Sequence, residues 1–174
     1  MVTSPSTENY LVGKGSLYFT PVGGVRRHMG NVSAMEVNLE VEELDHYSSM
    51  EGIRSKDKSV VVEKAGNVRL TLDEWSIPNI ALAMLGTVGT DTDGNNVVEL
   101  FNTDKQVGRL EYEGNNDVGP VFYIDLPSVA FRPDAAFSPI SEEWATMEIL
   151  GELQISNGSW GTITEIVTTE TESA

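Results

Sequence analysis

Between Val32 and Glu43 the chain reads VSAMEVNLEVEE, and apolar and polar residues alternate through it. Met35, Val37, Leu39 and Val41 fall on one side; Glu36, Asn38, Glu40 and Glu42 fall on the other. Side chains repeat every two residues only in an extended strand, so this segment predicts a half-buried strand with an acidic outer face. The same period recurs along the chain. SLYFTPV (Ser16–Val22) is rich in β-formers and runs into Gly23-Gly24, a turn signal. KSVVVEKAGNVRLTLDE predicts two strands about a turn at Ala65-Gly66-Asn67, with Val68, Leu70 and Leu72 facing inward. EEWATMEILGELQIS puts Ala145, Met147, Ile149, Leu153 and Ile155 on one face and Thr146, Glu148, Glu152 and Gln154 on the other. VVELF, VGRLEYE and SWGTITEIV are shorter strands, and VFYIDLPSVAFRP is a long one that Pro127 should break.

One segment has helical spacing. In SIPNIALAMLG, Ile77, Ile80, Ala81, Met84 and Leu85 form an apolar stripe, Ser76 is a candidate N-cap and Gly86 a candidate C′ stop. DTDGNN and EGNNDVGP read as polar turns. The sum is a mainly β fold: a sandwich or barrel of eight to ten strands flanked by one short helix. We expect one domain over residues 11–167, a flexible N-terminus at 1–10 and a frayed tail at 168–174. One stretch fits no period. ELDHYSSMEGIRSKD, between Glu42 and Lys58, would be a loop of a length that compact domains carry only for function or in disorder. Leu44, Tyr47, Met50 and Ile53 give it apolar anchors, so we read it as an arm that orders against another subunit.

Charge narrows the functions. The 174 residues hold 27 acids and 11 bases, a net of −16, which disfavours clamping of nucleic acid. Residues 1–70 carry nine acids and eight bases, and residues 71–174 carry eighteen acids and three bases. Arg54 to Arg69 alone holds five bases and two acids. That asymmetry reads either as basic-to-acidic docking between copies or as an ordinary solvated hairpin. There is no cysteine, so disulfides, thiolate metal sites and cysteine nucleophiles are excluded. No apolar run approaches the ~18 residues of a membrane span and no secretion signal is visible, so a soluble, cytoplasmic chain is expected.

Catalytic constellations are weak. His28 and His46 are the two histidines, and no Gly-x-Ser-x-Gly elbow accompanies them. Asp91-x-Asp93-x-Asn95 resembles the start of a calcium loop, but Asn96 and Asn102 stand where Gly and Glu are required, and a hairpin turn explains it better. Glu42-Glu43 and Glu142-Glu143 are neighbours, which in a strand point to opposite faces. Gly13-x-Gly15 lacks the rest of a phosphate-binding fingerprint, and the triplets at Asn31 and Asn157 mean little without secretion. We expect no enzyme, no cofactor and no metal.

The order of the motifs resembles a known family. VGKGSLYFTPVGG, then a strand, then LDHYSSMEGIRSKDKSVVVEKAGNVRLTLDEWSIPNIALAMLG, and finally PSVAFRPDAAFSPISEEWATMEILGEL are similar to the major tail tube protein of long-tailed bacteriophages. The matching blocks cover most of residues 11–155. The resemblance implies a β-sandwich with one helix, homohexameric rings stacked into a tube, and a continuous β-barrel around the lumen. It implies a structural virion protein assembled in the host cytoplasm, with tape-measure, tail-tip and terminator proteins as partners. Double-stranded DNA would pass without specific binding, and no membrane would be bound. The arm reaching the neighbouring ring or subunit would comprise Leu44, Asp45, His46, Tyr47, Met50, Ile53, Arg54, Lys56 and Lys58. Glu36, Glu40 and Glu42 are candidates for the lumen wall, with Glu148 and Glu152 as second choices; the opposing reading makes these faces plain solvated surface. Two alternatives remain. One is a tube subunit of a contractile tail or type VI-like secretion system. The other is a β-sandwich module binding carbohydrate or a receptor, which would need exposed aromatics in a groove.

Overall fold

Alternating strands dominate the computed structural model, which describes residues 5–50, 52–133, 139–140 and 142–167. The expected tail at 168–174, residues 1–4 of the expected N-terminus, and residues 134–138 and 141 of the PSVAFRPDAAFSPISEEWATMEILGEL block (127–153) lie outside them. Among the described residues there are ten strands and one α-helix. They are β1 (Gly15–Pro21), β2 (Arg27–His28), β3 (Val32–Ser48), β4 (Ser55–Leu72), α1 (Ile77–Ala83), β5 (Thr87–Thr90), β6 (Asn96–Glu99), β7 (Gln106–Gly114), β8 (Val121–Arg132), β9 (Met147–Leu153) and β10 (Thr162–Ile166). The fold is mainly β with one short helix, in the manner of a sandwich or barrel.

Eight strands form one sheet in the order β2-β1-β7-β8-β9-β4-β3, with β10 also on β8, all neighbours antiparallel. The sheet curls until its two ends share a core. Leu17 and Phe19 of β1 belong to the same buried cluster as Leu70 and Leu72 of β4 and Ile149 of β9. Phe19 meets Phe131 of β8 edge to face at 5.1 Å. Val68, Leu70 and Leu72 point inward as the alternation predicts, as do Met147, Ile149 and Leu153.

Pro127 does not break β8, and the reason is positional. Val121–Asp125 pair with β10, whereas Val129–Arg132 pair with β9, so Pro127 sits where β8 changes neighbour. On the other side, β7 and β8 slip register between Gly108 and Leu110. The missing N–H falls at a bulge, where a strand tolerates it.

Helix α1 closes the core with Ala81, Leu82 and Ala83 buried. Ser76 is its N-cap by position, although its hydroxyl makes no capping bond. The C-terminal stop is not Gly86. Leu85 takes the left-handed conformation at φ 47°, and Gly86 N–H donates to the Ala81 carbonyl at 2.8 Å. That bond spans the helix end as in a Schellman motif, with Leu85 at C′. Asn79 is fully buried, which the apolar stripe did not foresee. Its Nδ2 donates to the carbonyls of Met29 at 2.7 Å and Glu74 at 3.2 Å, and its Oδ1 accepts from Arg27 at 2.6 Å.

The small β5–β6 hairpin carries the Asp91 turn. Asp91 Oδ1 accepts from the backbone N–H of Asp93 and Asn95 at 2.9 and 2.8 Å, and Gly94 supplies φ 85°. Hydrogen bonds from Asn95 hold the Asp91 carboxyl below its ordinary value. The calcium-like spacing is a hairpin turn.

Candidate functional site

The stretch expected as an irregular loop is a β-ribbon. β3 runs unbroken to Ser48 and β4 starts at Ser55, and the two pair from Val32 opposite Leu72 out to Ser48 opposite Ser55. Cross-strand pairing supplies the order that the residues from Glu42 to Lys58 do not show in their own pattern. The expected turn at Ala65-Gly66-Asn67 does not exist. Gly66 pairs with Leu39 and Asn67 with both Asn38 and Glu152, so partners on one or both sides carry β4 straight through. Gly66 is there for space: a Cβ would meet Leu153 Cδ1 at 2.9 Å and Leu39 Cδ2 at 3.0 Å.

β9 accompanies β4 only over Asn67–Leu72. Beyond Gly66 no third strand accompanies the ribbon among the described residues. From Leu39 to Ser48 it extends about 30 Å at ~3.3 Å per residue. A lone two-stranded ribbon is marginal in water, and this one exposes apolar residues throughout. Val37, Leu39 and Val41 do not form the half-buried face their alternation predicts, because no described residue buries β3 past Met35; Leu39 is 72 % exposed. Leu44 is 66 % exposed, and Met50 and Ile53 at the tip are 93 % and 87 % exposed. Among the described residues β3 pairs only with β4, which leaves its outer edge without a partner strand there.

Polar contacts knit the distal ribbon. Lys56 Nζ lies 2.6 Å from Asp45 Oδ1, and Ser59 Oγ, with one proton to donate, lies 2.8 Å from a carboxylate oxygen of both Glu43 and Asp45. Bonds from Lys56 and Ser59 hold the Asp45 carboxyl below its ordinary value, and Asp45 in turn raises Lys56. His46 Nδ1 is 2.6 Å from Asp57 Oδ1. The Arg54 guanidinium lies 5.7 Å from the Tyr47 ring centre. Lys58 stands opposite His46. Register slips at Glu42/Glu43 and His46/Tyr47 mark two bulges, which add twist.

The structure brings the five acidic candidates onto one sheet face. Glu36, Glu40 and Glu42 stand opposite Arg69, Ala65 and Glu63, while Glu148 and Glu152 stand opposite Thr71 and Asn67. Those β4 residues alternate with the core-facing Val68, Leu70 and Leu72, so all five carboxylates lie on the face turned away from the core. Their surroundings differ. Glu152 is bound by Lys105 at 2.8 Å and Arg132 at 3.0 Å, and Glu148 lies 3.6 Å from Arg69. The Lys105 bond holds Glu152 below its ordinary value against desolvation. Glu42 instead faces the like charge of Glu63.

A second charged network escaped the sequence. Arg26 Nε donates to Glu111 Oε2 at 3.0 Å and its Nη2 to Glu113 Oε1 at 2.5 Å, with the guanidinium 3.6 Å above the Tyr18 ring. Tyr123 donates to Glu111 Oε1 at 2.6 Å, and Arg109 grips Asp125 at 2.7 and 2.9 Å. Desolvation pushes the Glu111 carboxyl up, but the bonds from Tyr123 and Arg26 outweigh it and hold it below its ordinary value. The signal was present in VGRLEYE as charge on the outer face, but its Arg26 partner is 85 residues from Glu111.

Among the described residues no group of three or more His, Asp or Glu is placed to hold a metal ion, and no helix is long and apolar enough to cross a membrane. Trp144 is exposed, whereas Trp75 donates to the Ala145 carbonyl at 3.0 Å and Trp160 packs on the core.

A family model described as "Protein of unknown function UCP028589" matches residues 10–95. That stretch contains β1 to β5, the whole ribbon and α1. No curated protein matches.

Proposed function

We propose that this chain is a structural subunit that polymerises with copies of itself into stacked rings, forming the tube of a phage tail through which the genome leaves. The observation that carries the reading is the ribbon: about 30 Å of two-stranded sheet that exposes Leu39, Val41, Leu44, Val60 and Val61 and has no third strand beside it among the described residues. A long, open, apolar edge is an aggregation hazard unless another chain covers it. Ring closure by neighbouring copies is the economical cover, since closure removes edges altogether. The resemblance to major tail tube proteins supplies the hexameric ring, the tape-measure and terminator partners and the virion location. The acidic outer face supports the conduit. Glu36, Glu40 and Glu42 on one continuous surface would repel phosphate and let DNA slide.

Negative-stain microscopy of the purified protein across a concentration series tests this. Hollow rings or tubes of uniform width are expected. A tube map should place Glu36, Glu40 and Glu42 on the inner wall; a map with them outside would remove the lumen assignment while leaving the tube.

A further inference from the structure

The connection from β9 to β10 carries the sequence's only Asn-Gly pair, Asn157-Gly158. Asn157 takes φ 51° and Gly158 φ 81°. Two central residues at positive φ make a tight turn of the type I′ kind. Ser156 and Ser159 close it as an isolated bridge, each N–H donating to the other's carbonyl, at 2.9 and 3.0 Å. Asn157 and Gly158 are both exposed. Among the described residues neither the Asn157 side-chain amide nor the Gly158 N–H has a hydrogen-bond partner.

Comparable positions elsewhere are held. Asn31, Asn79, Asn95, Asn102 and Asn116 all donate through Nδ2 to carboxylate, hydroxyl or carbonyl oxygens. Asp93-Gly94 is the aspartate counterpart, at the tip of the β5–β6 hairpin. There the Gly94 N–H donates to the Asp91 carbonyl at 3.2 Å, and Asp91 Oδ1 holds the N–H of Asp93 and Asn95.

A free side-chain amide next to a glycine nitrogen, which no Cβ shields, can react with it. The Gly158 nitrogen loses its proton to hydroxide and attacks Asn157 Cγ. The bond from Cγ to Nδ2 breaks, ammonia leaves and a five-membered succinimide closes. Water then opens the ring at either carbonyl, giving aspartate or isoaspartate, with no change of oxidation state. Ring closure needs the Gly158 nitrogen on the same side of the Asn157 Cα–C bond as Cβ. A type I′ turn holds it on the opposite side, so reaction waits for the turn to open. Among the described residues, the two bonds of the Ser156–Ser159 bridge are what keep it closed.

We infer that Asn157 is a self-modification site, which converts to aspartate and isoaspartate through opening of its turn, ahead of the chain's other asparagines and of Asp93-Gly94. Conversion adds one negative charge. Isoaspartate also routes the backbone through a side-chain carbon and so lengthens the turn that precedes Trp160 and β10. The inference is independent of the assembly reading.

The test incubates the full-length protein at mildly alkaline pH, with peptide mapping by mass spectrometry and labelling by an isoaspartyl methyltransferase. The peptide holding Asn157 should be the first to show the mass of an acid in place of an amide, and the first to take the label. A second arm uses Ser156→Cys/Ser159→Cys in a chain that has no other cysteine. A hydrogen-bonded antiparallel pair sets its Cα atoms about 5.5 Å apart, within disulfide range. With the disulfide formed, the turn cannot open, and conversion should run at least about tenfold slower than in the same variant reduced. Another site converting first would overturn the inference. So would equal rates in the oxidised and reduced variant, or an Asn157 that stays intact in the folded protein while the urea-unfolded chain converts.

Discussion

Glu111 is a carboxylate in the middle of a sheet face, and two bonded groups and its burial decide its state. Arg26 and Tyr123 bond its two oxygens while burial opposes its charge. Because the folded value lies below the unfolded one, its contribution is complete above the ordinary glutamate range. It is lost as pH falls through the folded value, that is, below about pH 4.5. Glu111→Gln should therefore cost about 1–2 kcal/mol at neutral pH, and the gap to wild type should close as urea titrations move below that pH. A gap independent of pH would mean the charge is immaterial. Gly151 is a different kind of residue constraint. A Cβ there would collide with Val129 Cγ1 and lie 3.0 Å from Phe131 Cε1 and Val68 Cγ1, all in the core. Gly151→Ala should destabilise by about 1–3 kcal/mol through overpacking, read from the denaturant midpoint. Neither role was legible beforehand. Leu70 and Ile149 announce themselves by period, but Glu111, Asn79 and Gly151 are explained only by partners distant in sequence.

At the level of elements, strand existence was legible and strand ends were not. Alternation located β1, β4, β7 and β9 because each has a face against the core, whereas β3 packs on it only through Val32 and Met35 and keeps its period beyond them on exposed residues. It failed from Glu42 to Lys58, where no core lies on either side and bulges shift the phase. Gly66-Asn67 misled for the opposite reason: turn chemistry is local, and pairing to β3 and β9 overrides it. Pro127 was read as a break because the change of neighbour along β8 is a tertiary event. Since the ribbon beyond Leu39 and Gly66 covers none of the core, it should be dispensable for folding. Replacing residues 40–65 with Asn-Gly joins the paired Leu39 and Gly66 by a two-residue turn. The shortened protein should keep its near-ultraviolet spectrum and melt within about 4 °C of wild type, equivalent to about 1 kcal/mol. A molten or unfolded product would make the ribbon part of the folding unit.

For the molecule as a whole, the fold class was readable and the interaction surfaces were only half so. Composition located the negative charge in residues 71–174 and the bases at Arg54 to Arg69. It could not show that Arg54, Lys56, Lys58 and Lys64 ride on the ribbon while Arg69 sits beside β9, or that Glu36, Glu40, Glu42, Glu148 and Glu152 share a face, because both depend on register. In the assembly we propose, a β body carries an arm that finds its cover on another copy. Sedimentation velocity of wild type beside the 40–65 replacement, over matched concentrations, tests that most directly. The account predicts large, concentration-dependent species for wild type and a monomer throughout for the shortened chain. Identical behaviour of the two, whether both assemble or both remain monomeric, would contradict it.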